Sequence, residues 1–245
     1  MDLPITGYQF NFWLLVLYTT LMPFMCTFFR VPYGKFVVKK WWLPLITNQN
    51  AFLLMEMPNL VVITGCLFIK GIPHWTNGVI MLCFLLYAFN RAIMYPASIV
   101  RIKANWPLPL VLLGILFTTI NSLNQVSVFY GDYNFWNPNV FLGFFIWLYA
   151  FYETWYADSQ LLDFASKNEG YILPHGRWFN LISGPHYTFE VLMWFGYFMM
   201  SMSYESLLFL MSTIFNVVPR ALATHKFYQE KFGPIDTKAI IPFVW

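Results

Sequence analysis

Seven apolar runs, at about 8–29, 50–69, 77–97, 107–129, 139–157, 187–203 and 204–222, fill most of this 245-residue chain. The polar links after the first, third, fifth and seventh runs carry Arg30, Lys35, Lys39, Lys40, Arg101, Lys103, Lys167, Arg177, Arg220, Lys226, Lys231 and Lys238, which is twelve of the fourteen basic residues. Of the other two, Lys70 lies in a link of the opposite set and Arg91 lies within a run. This alternation constrains the fold more than any single motif does. A run of about 20 apolar residues matches the hydrocarbon thickness of a bilayer when helical. Seven crossings put the basic links and the C-terminus on one side, which the positive-inside bias makes the cytosolic or matrix side. One crossing more or fewer would scramble the asymmetry. Helices are expected rather than barrel strands, because the runs are long and uniformly apolar and an isolated strand leaves its backbone groups unsatisfied in lipid.

Composition agrees. Charged residues make up 10% of the chain, against about 25% in a soluble domain. The expectation is an all-α membrane protein with seven transmembrane helices, one polytopic domain over 1–245 and no separate soluble domain. Met1-Asp2 opens without a basic region, so no cleaved signal peptide is expected. Cys26, Cys66 and Cys83 lie inside apolar runs and form no C-x-x-C pair, which speaks against disulfide or zinc chemistry. Glycine-rich nucleotide motifs and H-E-x-x-H are absent from the sequence. Neither a metal site nor a nucleic-acid partner is expected. Trp41, Trp42, Trp75, Trp106 and Trp136 stand at segment ends and read as an interfacial aromatic belt. The stretch from Asp158 to Pro185 reads as a long loop on the basic side, and loops of that length are usually functional.

Four ionisable residues fall within apolar runs: Glu56, Arg91, Glu153 and Glu190. A charge at the centre of a bilayer helix costs roughly 2.5–3.5 kcal/mol on insertion scales, so such residues are expected to be paired or to face a cavity. Arg91 shares a helical face with Tyr87 and Tyr95 at four-residue spacing. A structural ion pair, Glu56–Arg91 or Glu153–Arg91, is one reading. Glu153 and Glu190 lie near helix ends, where snorkelling to water is a second reading. Glu56 is deeper, and a carboxylic acid in a water-poor cavity can serve as a general acid on a carbonyl or enone.

The stretch Tyr171-Ile-Leu-Pro-x-Gly-x-x-Phe-x-x-x-Ser-Gly-Pro-His-Tyr-x-x-Glu190-x-x-x-Trp194-x-Gly196 resembles the steroid 5α-reductase family. So does the tail His225-Lys-Phe-Tyr228, followed by Lys238-Ala-Ile-Ile-Pro-Phe243. Met55-Glu56-Met-Pro58 is similar to the family's Q-E-x-P segment, and Phe89-Asn-Arg91-Ala-Ile-Met-Tyr95 to its F-H-R-x-x-x-Y segment. The resemblance implies seven helices, with the reductase-like motifs over about 158–245, and an NADPH site on the cytosolic side. The implied reaction reduces a C=C bond conjugated to a carbonyl in a steroid, polyprenol or enoyl-CoA. Hydride goes to the β-carbon while a buried Glu and a nearby Tyr polarise the carbonyl. Carried over by position, Glu56 is the acid and Arg91 and Tyr95 line the pocket. Asp158, Tyr171, His186, Glu190, Trp194, Arg220, His225 and Tyr228 fall on the cofactor side.

The chain also departs from the pattern. Met55 replaces Gln, and Ala88 stands where the catalytic Tyr belongs. Tyr87 is adjacent, but one residue is about 100° around a helix, so Tyr87 needs a register shift or a local bulge to serve. Asp158 can take the acidic place after the fifth helix, with Thr154 in the Asn place, and a basic residue further on appears as Phe164 or Ala165. His186 replaces the Asn of P-N-Y, and Thr224-His225 replaces a doubled basic pair. Three readings therefore stay open. One is a divergent NADPH-dependent lipid reductase. The second is an inactive relative kept as a structural subunit of a larger membrane complex, with the mitochondrial inner-membrane respiratory complexes as one home. The third is a lipid-binding or transport protein that uses the same cavity, with a bound lipid such as a structural phospholipid. The resemblance implies the endoplasmic reticulum for the first.

Overall fold

The computed structural model describes residues 6–28, 44–100, 104–131, 138–167 and 172–242. Helix α1 spans Thr6–Phe28, α2 Asn48–Lys70 and α3 Trp75–Phe89. A π-helical turn over Asn90–Met94 continues α3 directly into α4, Tyr95–Ser98. Then come α5, Leu108–Phe129; α6, Pro138–Lys167; α7, Pro185–Ser201; and α8, Tyr204–Phe232. With α3 and α4 counted as one rod, the described residues form seven long helical rods, each overlying one apolar run. Four helical stretches, Asn48–Lys70, Asn77–Ser98, Leu108–Phe129 and Tyr204–Phe232, are long and apolar enough to cross a membrane, with mean hydropathies of 1.9, 1.6, 1.4 and 1.5.

Two short strands, not anticipated from the sequence, set the helices in register. Strand β1 (Leu45–Thr47) pairs antiparallel with β2 (Asn105–Pro107), Ile46 opposite Trp106. Each strand runs straight into a helix, so α2 and α5 leave the same ribbon from the same end of the molecule. The first amide of each helix is satisfied across the ribbon: Asn48 N–H donates to the Ala104 carbonyl (2.8 Å) and Leu108 N–H to the Pro44 carbonyl (2.9 Å). These two groups would otherwise be orphan donors at a helix N-terminus.

Small residues govern the closest packing. A Cβ on Gly143 would lie 2.6 Å from the Gly196 carbonyl oxygen, and one on Gly196 would lie 2.7 Å from that of Gly143. The backbones of α6 and α7 therefore touch, as glycines permit between membrane helices. Similarly, a Cβ on Gly114 would lie 2.5 Å from Met55 Sδ, which brings α5 against α2. Between α7 and α8 the chain reverses at Met202, whose φ is 48°, and Ser203 caps α8 by accepting from Ser206 N–H (3.2 Å). The core is aromatic, with Phe84, Phe129, Trp147, Trp194 and Tyr197 all fully buried.

Three expectations are corrected. Helix α6 runs to Lys167 and α8 to Phe232, about ten residues past the ends read from hydropathy. What read as a loop from Asp158 is therefore helical for its first third, and Arg177–Asn180 is a 3₁₀ turn. The belt reading fails for Trp106, which is buried and donates to Asn48 Oδ1 (2.7 Å), while Trp75 is exposed as expected. Trp41, Trp42 and Trp136 lie outside the described residues, as do the basic residues at 30–40, 101 and 103.

Candidate active site

Glu56 lies eight residues, about 12 Å, past the start of α2. It is half-buried, and its carboxyl faces an interior that it shares with Arg91 and Glu190. Its Oε2 accepts from Asn59 Nδ2 (3.0 Å) one turn along the same helix. Pro58 lies between them within α2. A proline inside a helix removes one backbone donor and leaves the carbonyl four residues back without its partner. Beside that gap, Thr118 Oγ1 of α5 donates to the Met55 carbonyl (2.6 Å). Neighbouring hydroxyls commonly steady proline-containing membrane helices in this way.

Tyr87, Arg91 and Tyr95 face the same space from the α3–α4 rod. The π turn between them has a definite consequence. Over eight residues a regular α-helix turns about 800°, which leaves Tyr95 about 80° out of phase with Tyr87. A π turn absorbs one residue, so the phase becomes that of about seven residues, 700°, and the two rings come within about 20° of one line. Tyr95 N–H bonds the Asn90 carbonyl, closing the wide turn. The local bulge that Tyr87 needs is therefore present in this rod. Tyr87 is held edge-on to Trp194, with ring centroids 4.6 Å apart, and the Arg91 charge lies near its hydroxyl.

Arg91 is the hub. Its guanidinium lies 3.6 Å from Asp158 Oδ2 on α6 and covers the rings of Tyr95 (4.9 Å) and Phe52 (5.3 Å). The charges of Glu56, Asp158 and Glu190 all reach it. The expected ion pairs Glu56–Arg91 and Glu153–Arg91 are thus replaced by Arg91–Asp158. Helix α7 adds Glu190 and Tyr187 to the same space, and α8 adds Arg220 and Thr224, which reach the Tyr187 hydroxyl. Six helical segments therefore converge on one polar interior.

Glu153 belongs elsewhere. It is buried and takes the Arg177 guanidinium on Oε1 and Trp178 Nε1–H (3.1 Å) on Oε2. It does not snorkel to water. The Tyr152 hydroxyl first, and then the Glu153 charge, hold the Arg177 proton more firmly than in free arginine. Arg177 sits at φ 49°, a conformation that costs a side-chain-bearing residue about 1–2 kcal/mol. The ion pair offsets that cost and pins the 3₁₀ turn to α6.

The cofactor-side expectations divide. Asp158, Glu190 and Arg220 line the polar interior. His186 lies beside it, its ring 3.9 Å from that of Tyr187. His225 stands at the junction with the tail: Nδ1 meets Ser183 Oγ (2.7 Å), which also meets Thr237 Oγ1 (2.8 Å). Trp194 is not on an open cofactor surface but in the aromatic core, packed on Phe209 (4.1 Å) as well as Tyr87. Tyr228 is buried next to Phe227. Tyr171 lies outside the described residues. Three residues of the interior were missed in the sequence, namely Asn59, Ser122 and Asn216. Their signal was polar spacing: Gly114, Thr118 and Ser122 on α5, and Ser212, Asn216, Arg220 and Thr224 on α8, recur every four residues. Asn216 Oδ1 and Arg91 Nε are buried without a hydrogen-bond partner.

Residues 104–245 match the family described as 3-oxo-5-alpha-steroid 4-dehydrogenase. Over 255 aligned residues, 96% of this chain and 97% of the relative, the sequence is 33% identical to steroid 5-alpha-reductase DET2 of Solanum lycopersicum. The chain belongs to the steroid 5α-reductase family. The corresponding Arabidopsis thaliana protein is also 33% identical, over 89% of both chains. The bovine 3-oxo-5-alpha-steroid 4-dehydrogenase 1 is 29% identical over 87% of both.

Family membership makes the departures worth locating. Met55 is buried against Gly114, and Ala88 is fully buried beside Tyr87. Thr154 donates to its own helix at the Ala150 carbonyl (2.8 Å). Phe164 packs on His175 (5.2 Å), and Ala165 is exposed. Only the Tyr87–Ala88 exchange touches the centre of the polar interior, and there the π turn restores an inward tyrosine.

Proposed function

We propose that this protein is a membrane-embedded reductase that uses NADPH to saturate a C=C bond conjugated to a carbonyl in a lipophilic substrate of the 3-oxo-steroid type. The observation that carries this reading is the meeting of Glu56, Tyr87 and Arg91 in one enclosed polar space. The family's full-length reductases support it, since the alignment runs nearly end to end. The seven rods are read as seven spans with the C-terminus on the cytosolic side, in the endoplasmic reticulum.

The residues fit a dinucleotide. Arg91 Nε and Asn216 Oδ1 are buried and lack partners, as expected of groups reserved for a polar ligand. Arg220, His186 and His225 would hold the phosphates, and Asp158 and Glu190 the ribose hydroxyls. When bound, NADPH supplies hydride to the β-carbon of the enone. The chain's own residues do the rest. As hydride adds, the C=C electrons move to the carbonyl oxygen, and the Glu56 carboxyl and the Tyr87 hydroxyl donate to that developing charge. Arg91 keeps the Tyr87 hydroxyl oriented while Asp158 balances its charge. The apolar helices exclude water, which strengthens each of these interactions.

The reading is preferred to an inactive structural subunit because Tyr87 occupies the inward position despite Ala88. Its test is NADPH oxidation with a 3-oxo-4-ene steroid by the full-length protein in mild detergent. Glu56→Gln is expected to lower kcat by roughly a hundredfold or more, the range of a general acid. Turnover unchanged in the variant, or absent in the wild type with both enone and enoyl-CoA substrates, would overturn it.

A further inference from the structure

Asn59 is 2% exposed and Ser122 fully buried, and both lie behind Glu56 rather than in the open part of the polar space. The Asn59 amide bridges them. One end is 3.0 Å from Glu56 Oε2 and the other 3.1 Å from Ser122 Oγ. Ser122 Oγ is also in hydrogen-bond contact with the Thr118 carbonyl. The packing that permits this is specific. Gly114, Thr118 and Ser122 form one line on α5, and α2 lies close enough that Thr118 and Ser122 both reach it.

A serine hydroxyl has one hydrogen, and it cannot serve both acceptors at once. Two arrangements follow. In the first, Ser122 donates to Asn59 Oδ1, and Asn59 Nδ2–H donates to a Glu56 carboxylate. In the second, Ser122 donates to the Thr118 carbonyl and accepts from Asn59 Nδ2–H. The amide, whose two ends have nearly the same shape, then offers Oδ1 to the Glu56 carboxylic O–H. Each arrangement satisfies every buried atom of the set. The first suits the carboxylate and the second the acid.

We propose that Asn59 and Ser122 are positioning residues that hold Glu56 in one orientation in both of its protonation states. This rests on the reading of Glu56 as the proton donor. In each turnover the carboxyl proton passes to the enolate oxygen left by hydride addition, and the resulting carboxylate regains a proton from water. The amide accepts before that transfer and donates after it, so the side chain need not swing away. The other groups that face Glu56 are Arg91 and Tyr87 from the α3–α4 rod and Glu190 from α7. Arg91 can only donate, and Tyr87 is the group assigned to the substrate oxygen, whereas an amide backed by a hydroxyl can accept from the acid and donate to the carboxylate at Oε2.

The test uses the full chain in detergent with NADPH and a 3-oxo-4-ene steroid. Asn59→Leu keeps the size and removes the amide. It is expected to lower kcat roughly ten- to a hundredfold, the worth of a hydrogen bond to a charged group, with KM for the steroid within about twofold of wild type. Ser122→Ala is expected to lower kcat by a smaller factor. The double variant is expected to be no slower than Asn59→Leu within about twofold, because Ser122 acts only through the amide. A second readout needs no turnover. The Glu56 carboxyl stretching band, isolated as wild type minus Glu56→Gln in infrared difference spectra, is expected to shift in both Asn59→Leu and Ser122→Ala. Wild-type kcat in Asn59→Leu, losses that multiply in the double variant, or an unmoved band overturns the proposal. An active Glu56→Gln instead overturns the assignment of the acid, while the infrared band still decides whether Asn59 holds the side chain.

Discussion

Removing Arg91 takes away the one cation that faces Glu56, Asp158 and Glu190 among the described residues of the polar interior's α2, α3–α4 and α6 walls. The Arg91–Asp158 pair is separated by 3.6 Å, with side chains 18% and 12% exposed. At an effective dielectric of about 20, two unit charges at that separation attract by about 4.6 kcal/mol. Rings add to this, since Tyr95 and Phe52 both lie under the guanidinium, each worth about 0.5–1 kcal/mol. Against these stands the cost of taking the guanidinium out of water, so the sum is not the net contribution. Truncation is different, because Arg91→Met leaves an enclosed carboxylate with no counter-charge. The expected loss is about 3–5 kcal/mol. For a chain of this size that is a fall in melting temperature of roughly 6–20 °C, read from the fluorescence of its eleven tryptophans during heating in detergent. Asp158→Asn in the same background removes the stranded charge and is expected to recover at least about 1.5 kcal/mol. The reasoning is refuted if Arg91→Met melts within about 1 kcal/mol of wild type. It is equally refuted if the two substitutions add within about 0.5 kcal/mol, the behaviour of independent sites.

Two further predictions concern packing and the basic-side turn. Gly196→Ala would place a Cβ 2.7 Å from the Gly143 carbonyl oxygen and Trp147 N, so α6 and α7 must separate; the expected cost is about 1–3 kcal/mol by thermal unfolding. Gly65→Ala, with nothing within 4 Å, is the matched control and is expected to be neutral or slightly stabilising. Arg177→Met strands Glu153, which is 1% exposed, and is expected to speed proteolysis within 172–184 by at least tenfold. Glu153→Gln in that background is expected to restore most of the protection.

The rods were legible because a bilayer span leaves its length in the hydropathy of the sequence. Their far ends were not. The last turns of α6 and α8 carry Lys167, Lys226 and Lys231, polar residues that end an apolar run but form helix readily. An exposed i,i+4 pair, Asp163–Lys167 at 2.7 Å, adds to this in α6. Hydropathy reports the membrane boundary, and helix propensity carries the helix past it. Which residues face inward was also legible at Glu56 and Arg91, because lipid penalises a charge that faces it. Their partners were not, since pairing depends on which helices lie side by side. Asp158 was read for the cofactor and Glu153 for Arg91, whereas Asp158 meets Arg91 and Glu153 meets Arg177. Trp106 misled for a similar reason. At the end of an apolar run a tryptophan has the same local signature whether it meets the headgroups or, as here, caps a two-stranded ribbon.

Tyr87 shows how a departure from a family pattern can conserve geometry. Counting residues, the tyrosine sits one place too early and Ala88 holds its position. Counting helical phase, the outcome reverses. Pro96 supplies a local cause. It has no N–H for the Ala92 carbonyl, and in a straight helix its ring would crowd that carbonyl. Ala92 lies inside the π turn, where the wider ring of atoms moves the carbonyl away. The same widening rotates everything before Asn90 relative to everything after Met94. Tyr87 turns inward onto the line of Tyr95, and Arg91, within the turn, reaches both hydroxyl-bearing rings and Asp158. Ala88 then packs fully buried in the core. The substitution and the bulge are thus two parts of one local solution, and the inward tyrosine beside Glu56 survives the loss of its expected sequence position.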